Sequence, residues 1–358
     1  MMIDMNDFAR RYLPRQNLAT AETFPRDLWQ QIGAAGLFRI GLPQAFGGDG
    51  GGYRAIAGAE RALVAAGGSL GFGMSWGGHQ LMAHFFIDGF GSPAQKQMLL
   101  PGVASGKLTV SVAISEPGVG AHPKLLTATV RREGGGFLID GEKFYVTNGP
   151  IADWFVVLAI TALEAGRKRY SVLLVPRDAP GLLVEPMPSL KALRPSPHAA
   201  LKLQACRVPA ENLLGAADTA YETMALPFRD VEDAVGTAGL AGALRFAAGQ
   251  LASGATRSEE ADAAFGELAG LLDVLDQASD ACVARMNQDN AALLVGFRSL
   301  AGQIAARLKG LRYTAVAPPL FDTVMGDIDM SLGIARQPRA VKQARLGAKF
   351  MAECAAGK

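Results

Sequence analysis

Cysteine is scarce in this chain of 358 residues, and what there is does not pair: Cys206, Cys282 and Cys354 are odd in number and widely scattered. That pattern excludes a disulfide framework and fits a reducing compartment. Histidine is scarce too. His79, His84, His122 and His198 show no metal-ligand spacing with Cys or carboxylates, and His79 and His84 lie off the same-face spacing of a helix, so no metal site is expected. Charge of one sign is missing as well. The formal net charge is +2 with no long Lys/Arg stripe, which argues against a nucleic-acid partner. No uninterrupted apolar run reaches the length of a membrane span, and the opening Met1-Met2-Ile3-Asp4 leads into none. Neither a membrane nor a signal peptide is therefore expected, and the cytoplasm is the expected location. Internal repeats and low-complexity segments are absent.

What is present is Ala, Leu and Gly, within a 49% hydrophobic composition that suits closely packed helices and subunit contacts. The length allows two or three domains around sizeable cores. Residues 1–107 read as helices. Pro25 to Gly36 places Leu28, Ile32 and Ala35 on one stripe, Tyr53 to Gly67 and residues 75–90 repeat the pattern, and Ser92-Pro93 opens a further helix. Residues 108–215 carry short β-rich runs between Gly and Pro turns, from Leu108–Ile114 to Leu201–Cys206, most simply a barrel or sandwich. Residues 216–358 return to long Ala/Leu-rich helical patterns (Val231 to Leu251, Ala261 to Met286, Ala291 to Leu311), enough for a bundle. The expected class is α+β: an N-terminal helical domain, a middle β-barrel or sandwich and a C-terminal helical bundle.

Two runs in the β region stand out. Ala113-Ile114-Ser115-Glu116-Pro117-Gly118-Val119-Gly120-Ala121-His122 and Gly141-Glu142-Lys143-Phe144-Tyr145-Val146-Thr147-Asn148-Gly149 each leave a strand pattern for a hydroxyl-bearing, Gly-rich turn. Together they can form one polar rim beside a flat apolar ligand. Ser115 and Thr147 offer hydroxyls, Tyr145 an aromatic wall, and Gly118 and Gly120 allow close backbone approach. Read alone, Asn148-Gly149 is also an ordinary turn pair.

These runs resemble the flavin-binding core of the acyl-CoA dehydrogenase family. Five further stretches agree in order. Phe24-Pro25-Arg26-Asp27-Leu28-Trp29 with Leu42-Pro43-Gln44-Ala45-Phe46-Gly47-Gly48 looks like the family's N-terminal helices. Phe90-Gly91-Ser92-Pro93-Ala94-Gln95-Lys96 with Leu100-Pro101-Gly102 looks like the entry to its β domain, and Val208-Pro209-Ala210-Glu211-Asn212-Leu213-Leu214-Gly215 like the exit. The resemblance implies FAD as cofactor, with Ala113, Ile114, Ser115, Gly120, Ala121, Tyr145 and Thr147 as its contacts. It implies an acyl-CoA substrate desaturated at the α,β bond, an electron-transfer flavoprotein as acceptor, and a homodimer or homotetramer.

The departures fall where the chemistry belongs. Relatives carry Gly-Ser-Asp where this chain has Gly120-Ala121-His122, so a substrate-holding hydroxyl is missing and His122 is the candidate replacement. Relatives carry an Arg three residues before a Phe-Gly pair for the flavin pyrophosphate. Before Phe265-Gly266 stands Asp262, with Arg257 as a substitute cation. The late Gly-rich segment that bears the base in most relatives is absent. In a minority the base lies on the first bundle helix, and spacing to Gly239-Leu240-Ala241-Gly242 puts Glu232 there. Asp322, Asp327 and Asp329 are the other carboxylates considered. Glu232 also has a purely structural reading, as one of three acids (Asp230, Glu232, Asp233) in a first helical turn favoured by the macrodipole. Two alternatives to a dehydrogenase follow from the departures: a catalytically silent subunit paired with an active homologue in a hetero-oligomer, or a flavin monooxygenase or oxidase of the same fold.

Overall fold

The computed structural model describes residues 4–188, 190–286, 288–312 and 318–356. The chain begins with helices α1 (Met5–Tyr12), α2 (Arg26–Ala34), α3 (Gly52–Gly67), α4 (Leu70–Leu81) and α5 (Pro93–Ala104). Sequence spacing starts a helix near residue 75. The helix in fact starts at Leu70, where the Ser69 hydroxyl accepts from the Phe72 amide at 3.0 Å. α4 then runs without a break into a π-helical segment, Met82–Asp88. The expected start of α5 is a complete capping box between Ser92 and Gln95, with Pro93 in the first turn. Gln95 also donates to the carbonyls of Glu211 (2.7 Å) and Leu213 (3.0 Å), which ties this helix to the far end of the β region.

Eight strands follow: β1 (Val110–Ala113), β2 (Thr129–Glu133), β3 (Gly136–Thr147), β4 (Trp154–Glu164), β5 (Arg167–Pro176), β6 (Leu182–Pro186), β7 (His198–Pro209) and β8 (Leu213–Leu214). They form one mixed sheet in the order β6-β7-β3-β2-β4-β5-β8, with β1 paired in parallel to β4. The sheet curls around its own core. Phe137, Ile139, Phe155, Val157, Leu173, Leu201 and Leu203 share one apolar cluster, while the alternate residues Val156, Leu158, Val172 and Leu174 face the helices. β3 and β7 are longer than their apolar patterns indicate, because bulges after Ile139 and Lys143 carry the pairing past the polar residues.

A π-helical turn, Tyr221–Ala225, leads directly into α6 (Leu226–Ser253). Then come α7 (Glu259–Ala284), α8 (Ala291–Leu311), α9 (Pro319–Gly333) and α10 (Arg336–Ala356). By length and composition alone α8 is apolar enough to cross a membrane, which the sequence reading did not anticipate. Its apolar face (Leu294, Phe297, Ala301, Ile304, Leu308) lies in the bundle core. The two helical regions are not separate bodies. α3 packs on α6, and Ile56, Leu63 and Val64 share one core with Leu240, Ala241 and Leu244. Gly242 allows that approach: a side-chain carbon there would stand 2.6 Å from the Arg61 carbonyl oxygen.

Candidate active site

The two runs singled out in the sequence are bolted together from below. Glu116 and Lys143 form an ion pair at 2.9 Å, both side chains almost wholly buried. Glu116 also accepts from the Thr127 amide (2.7 Å), the Thr127 hydroxyl (2.8 Å) and the Ala128 amide (3.0 Å). Lys143 donates further to the Ile114 carbonyl at 3.2 Å, and the Phe144 amide to the Ser115 carbonyl at 2.8 Å. Burial alone would push the Glu116 carboxyl up. Lys143 and the backbone donors outweigh it and hold the group below the ordinary range. Burial lowers Lys143, against the pull of Glu116. We take the pair as ionised at neutral pH, since each oxygen and the ammonium has its partners in place.

Above this pair lies a cavity of about 220 Å³ between the sheet edge and the start of α6. Ile114, Ser115, Ala121, Tyr145 and Thr147 line it, opposite Tyr221, Leu226 and Glu232. Ala113 and Gly120, expected beside them, do not. The Ala113 side chain points into the sheet's own core, because strand alternation sets it on the face opposite Val112 and Ile114, which line the cavity. Gly120 is taken up by the turn, exchanging backbone hydrogen bonds with Glu116 at a positive φ of 58°. His122 is exposed on the same loop and does not line the cavity.

Tyr145 is 55% exposed and sits at φ +54°. A large aromatic in the left-handed region costs stability, and the bulge between Lys143 and Val146 holds it there. Tyr145→Gly should therefore leave the fold as stable as before or gain up to ~1 kcal/mol by thermal or urea unfolding, and a loss above ~1 kcal/mol would show that the side chain holds the bulge in place.

A second cavity, also about 220 Å³, runs between α4, α6 and the α9–α10 junction. Leu70, Met74 and Leu81 supply its apolar wall, and Glu60, Glu232 and Asp233 its carboxyls. Glu232 and Arg229 line both cavities. The helical path begins at Tyr221, so Asp230, Glu232 and Asp233 lie beyond the first turn, and the macrodipole does not account for them. Two of the three are occupied by cations. Asp233 meets Arg339 at 2.9 Å, Arg298 at 3.5 Å and Lys342 at 3.8 Å, and Asp230 meets Lys342 at 2.8 Å. Glu232 has no hydrogen-bond or ion-pair partner among the described residues. It is exposed, but into the cavities, with protein on every other side. Burial first, then the Asp233 charge, pushes its pKa up to about 7, against a smaller pull from Arg339.

The other candidate carboxylates are elsewhere. Asp322 pairs with Arg312 at 2.7 Å and Asp329 with Lys309 at 2.7 Å, while Asp327 is buried and accepts from the Leu193 amide at 2.6 Å. None lines either cavity. His79 is a core residue, not a ligand: Nδ1 accepts from the Val110 amide at 3.3 Å, and burial lowers its pKa to about 4. Asp262 is bound at 2.7 Å by Arg257, the very cation considered as its substitute. Phe265-Gly266 falls inside α7. Sequence reasoning missed Glu60, Arg298 and Arg339. Glu60 had a signal: it is an acid on the stripe of Ile56, Leu63 and Val64.

Comparison with known proteins bears on the family and the fold. The family profile of the acyl-CoA dehydrogenase N-terminal domain matches residues 4–107, and that of the middle domain residues 111–206. Mitochondrial isovaleryl-CoA dehydrogenase of Oryza sativa subsp. japonica is 34% identical over 194 residues, 54% of this chain and 47% of the relative. The probable acyl-CoA dehydrogenase YngJ of Bacillus subtilis is 31% identical over 214 residues, 59% and 56% of the two chains. The matched part thus spans about half the length of these relatives. In fold, butyryl-CoA dehydrogenase from Megasphaera elsdenii superposes with a TM-score of 0.82 at 17% identity, over 97% of each chain. A probable acyl CoA dehydrogenase from Mycobacterium abscessus does so with 0.79 at 24%, again over 97% of each. The sheet edge, the helix that faces it and these matches lead to one statement: the chain belongs to the acyl-CoA dehydrogenase family.

Proposed function

We propose that this protein binds FAD with its flavin ring in the crevice at Ser115, Tyr145 and Thr147, and oxidises an acyl-CoA thioester at its α,β bond with Glu232 as the base. One observation carries the reading: a partner-free carboxylate stands in the wall common to the two cavities, so it can face both a redox ring and an acyl chain. The crevice suits a flat ring, with an exposed aromatic wall at Tyr145 and two hydroxyl-bearing residues on one rim. FAD, when bound, supplies the acceptor for the hydride leaving the β carbon. The protein's part is to place and dry the α carbon and remove its proton. That proton is weakly acidic, so the base must be desolvated, and a carboxylate poised near 7 is matched to the task.

As a base Glu232 works only when ionised. With its pKa raised to about 7, kcat/KM should fall as pH drops below that value and level off above it. A profile flat from pH 6 to 8 would remove Glu232 from the role. The visible spectrum of the purified protein tests the reading as a whole. Flavin absorbance that bleaches on adding an acyl-CoA is expected; a colourless protein that also ignores added FAD overturns it. Released electrons would pass to an electron-transfer flavoprotein, in the cytoplasm, from a dimer or tetramer.

Asp262 favours a second reading for half of the cofactor. A carboxylate beside a diphosphate is repulsive, and Asp262 stands on α7 where an Arg was expected. On this reading the diphosphate is held by a homologous partner chain. FAD content separates the two: near one per chain in the isolated protein supports a self-sufficient enzyme, and FAD uptake only after mixing with a homologue supports the paired form.

A further inference from the structure

From the floor of the second cavity we infer that the site takes an acyl thioester bearing a hydroxyl or carbonyl oxygen at the far end of its chain, bonded there by Glu60. This deepens the acyl-thioester reading and rests on it. Glu60 is 3% exposed, lines the cavity, and has no hydrogen-bond or ion-pair partner among the described residues. Its carboxyl is wedged between two helices at glycines. A side-chain carbon at Gly239 would stand 2.6 Å from Oε1, and one at Gly77 would collide with Oε2. The two glycines therefore fix where the acid sits. Carbons built on Gly78 and Gly236 would enter open space, so the cavity is widest just in front of it.

Position along α6 sets the length of chain. Glu232, Gly236 and Gly239 fall on one stripe of the helix, and Gly239 is two turns, ~10 Å, beyond Glu232. An acyl chain whose α carbon lies over Glu232 runs past Gly236 and ends at Glu60. The wall between is apolar, with Leu70, Met74 and Leu81, and admits methylenes. Burial alone raises Glu60, to about 8, so at neutral pH it is an uncharged acid that both donates and accepts a hydrogen bond. A plain methyl end would leave that acid unpaired in a dry site, which is unfavourable; a hydroxyl or carbonyl end satisfies it.

The test compares octanoyl-CoA with ω-hydroxyoctanoyl-CoA on the FAD-loaded protein, in wild type, Glu60→Gln and Glu60→Leu. Wild type should favour the hydroxylated chain in kcat/KM by about tenfold or more, as a polar site discriminates. Glu60→Gln should keep most of that preference. Glu60→Leu should reverse it and also raise Tm, because a partner-free buried acid gives way to an apolar side chain. A wild-type preference for octanoyl-CoA, or a preference unchanged in Glu60→Leu, overturns the inference. If neither thioester binds, it is the function reading that fails. The cavity is then probed with octanol and the octane diol of equal length by thermal shift. Stabilisation by the diol that vanishes in Glu60→Leu supports the polar floor; equal shifts by both alcohols overturn it.

Discussion

Glu232→Gln is expected to leave a folded, FAD-binding protein whose kcat/KM for acyl-CoA is lower by ~10²–10⁴-fold, the ordinary contribution of a positioned base. The prediction is sharp because Glu232 does nothing else: it holds no cation and caps no backbone group among the described residues. Glutamine has the same shape and no charge to desolvate, so Tm should hold steady or rise slightly. Asp233→Asn is the contrast. That residue gathers Arg298, Arg339 and Lys342, and removing its charge sets three cations against one another. Its loss should appear first as lowered stability and only second as lowered rate. The measurement is steady-state oxidation with an artificial electron acceptor, alongside thermal unfolding and flavin content. Retention of more than a tenth of the activity in Glu232→Gln would assign the proton to another group.

Lys143→Met is expected to be the most destabilising single change in the β region, by ~3–5 kcal/mol, since it strands the Glu116 carboxylate in the interior. Three donors from Thr127 and Ala128 remain on Glu116, which places the loss toward the lower end of that range. The double variant Lys143→Met/Glu116→Gln should recover much of it, because the cost belongs to the unpaired charge. Urea midpoints at constant slope check this, and a loss below ~1 kcal/mol would show the pair to be dispensable. The pH dependence has a definite sign. Glu116 is held below its unfolded pKa, so its stabilisation is complete above the ordinary carboxylate range and is lost as pH falls through the folded value. Ser115 and Tyr145 flank the pair in the chain, so FAD affinity should decline in the single variant with stability.

Much of the fold is legible because its signals are local. The capping box at Ser92 and the short apolar runs of β4 and β5 each report on a few neighbouring residues. Glu232 was reachable for the same reason, through its short spacing to the glycines of α6. What the sequence conceals is long-range. Arg298 and Arg339 reach Asp233 across 65 and 106 residues, and no pattern near Asp233 announces them. The macrodipole reading of the three acids depended on where the helix begins, and the π-turn at Tyr221–Ala225 moves that start upstream. The side chain of Ala113 lies on the face opposite the cavity: a strand edge was recognised, but not which side chains it turns inward. Glu60 interrupts the apolar stripe of its own helix, but what buries it comes from far along the chain, at Gly77 of α4 and Gly239 of α6.

The packing of α3 on α6 also bears on how the molecule comes into being. The first hundred residues leave the ribosome well before their chief helical neighbour, which is complete only at Ser253. Until then the side of α3 that meets α6 has only α1 and α4 beside it, and contacts so distant along the chain form slowly. The nascent N-terminal third is thus the stretch most in need of chaperone shelter. A chain nicked at the exposed Ala165-Gly166 turn should stay whole, its two fragments clasped by that helix pair.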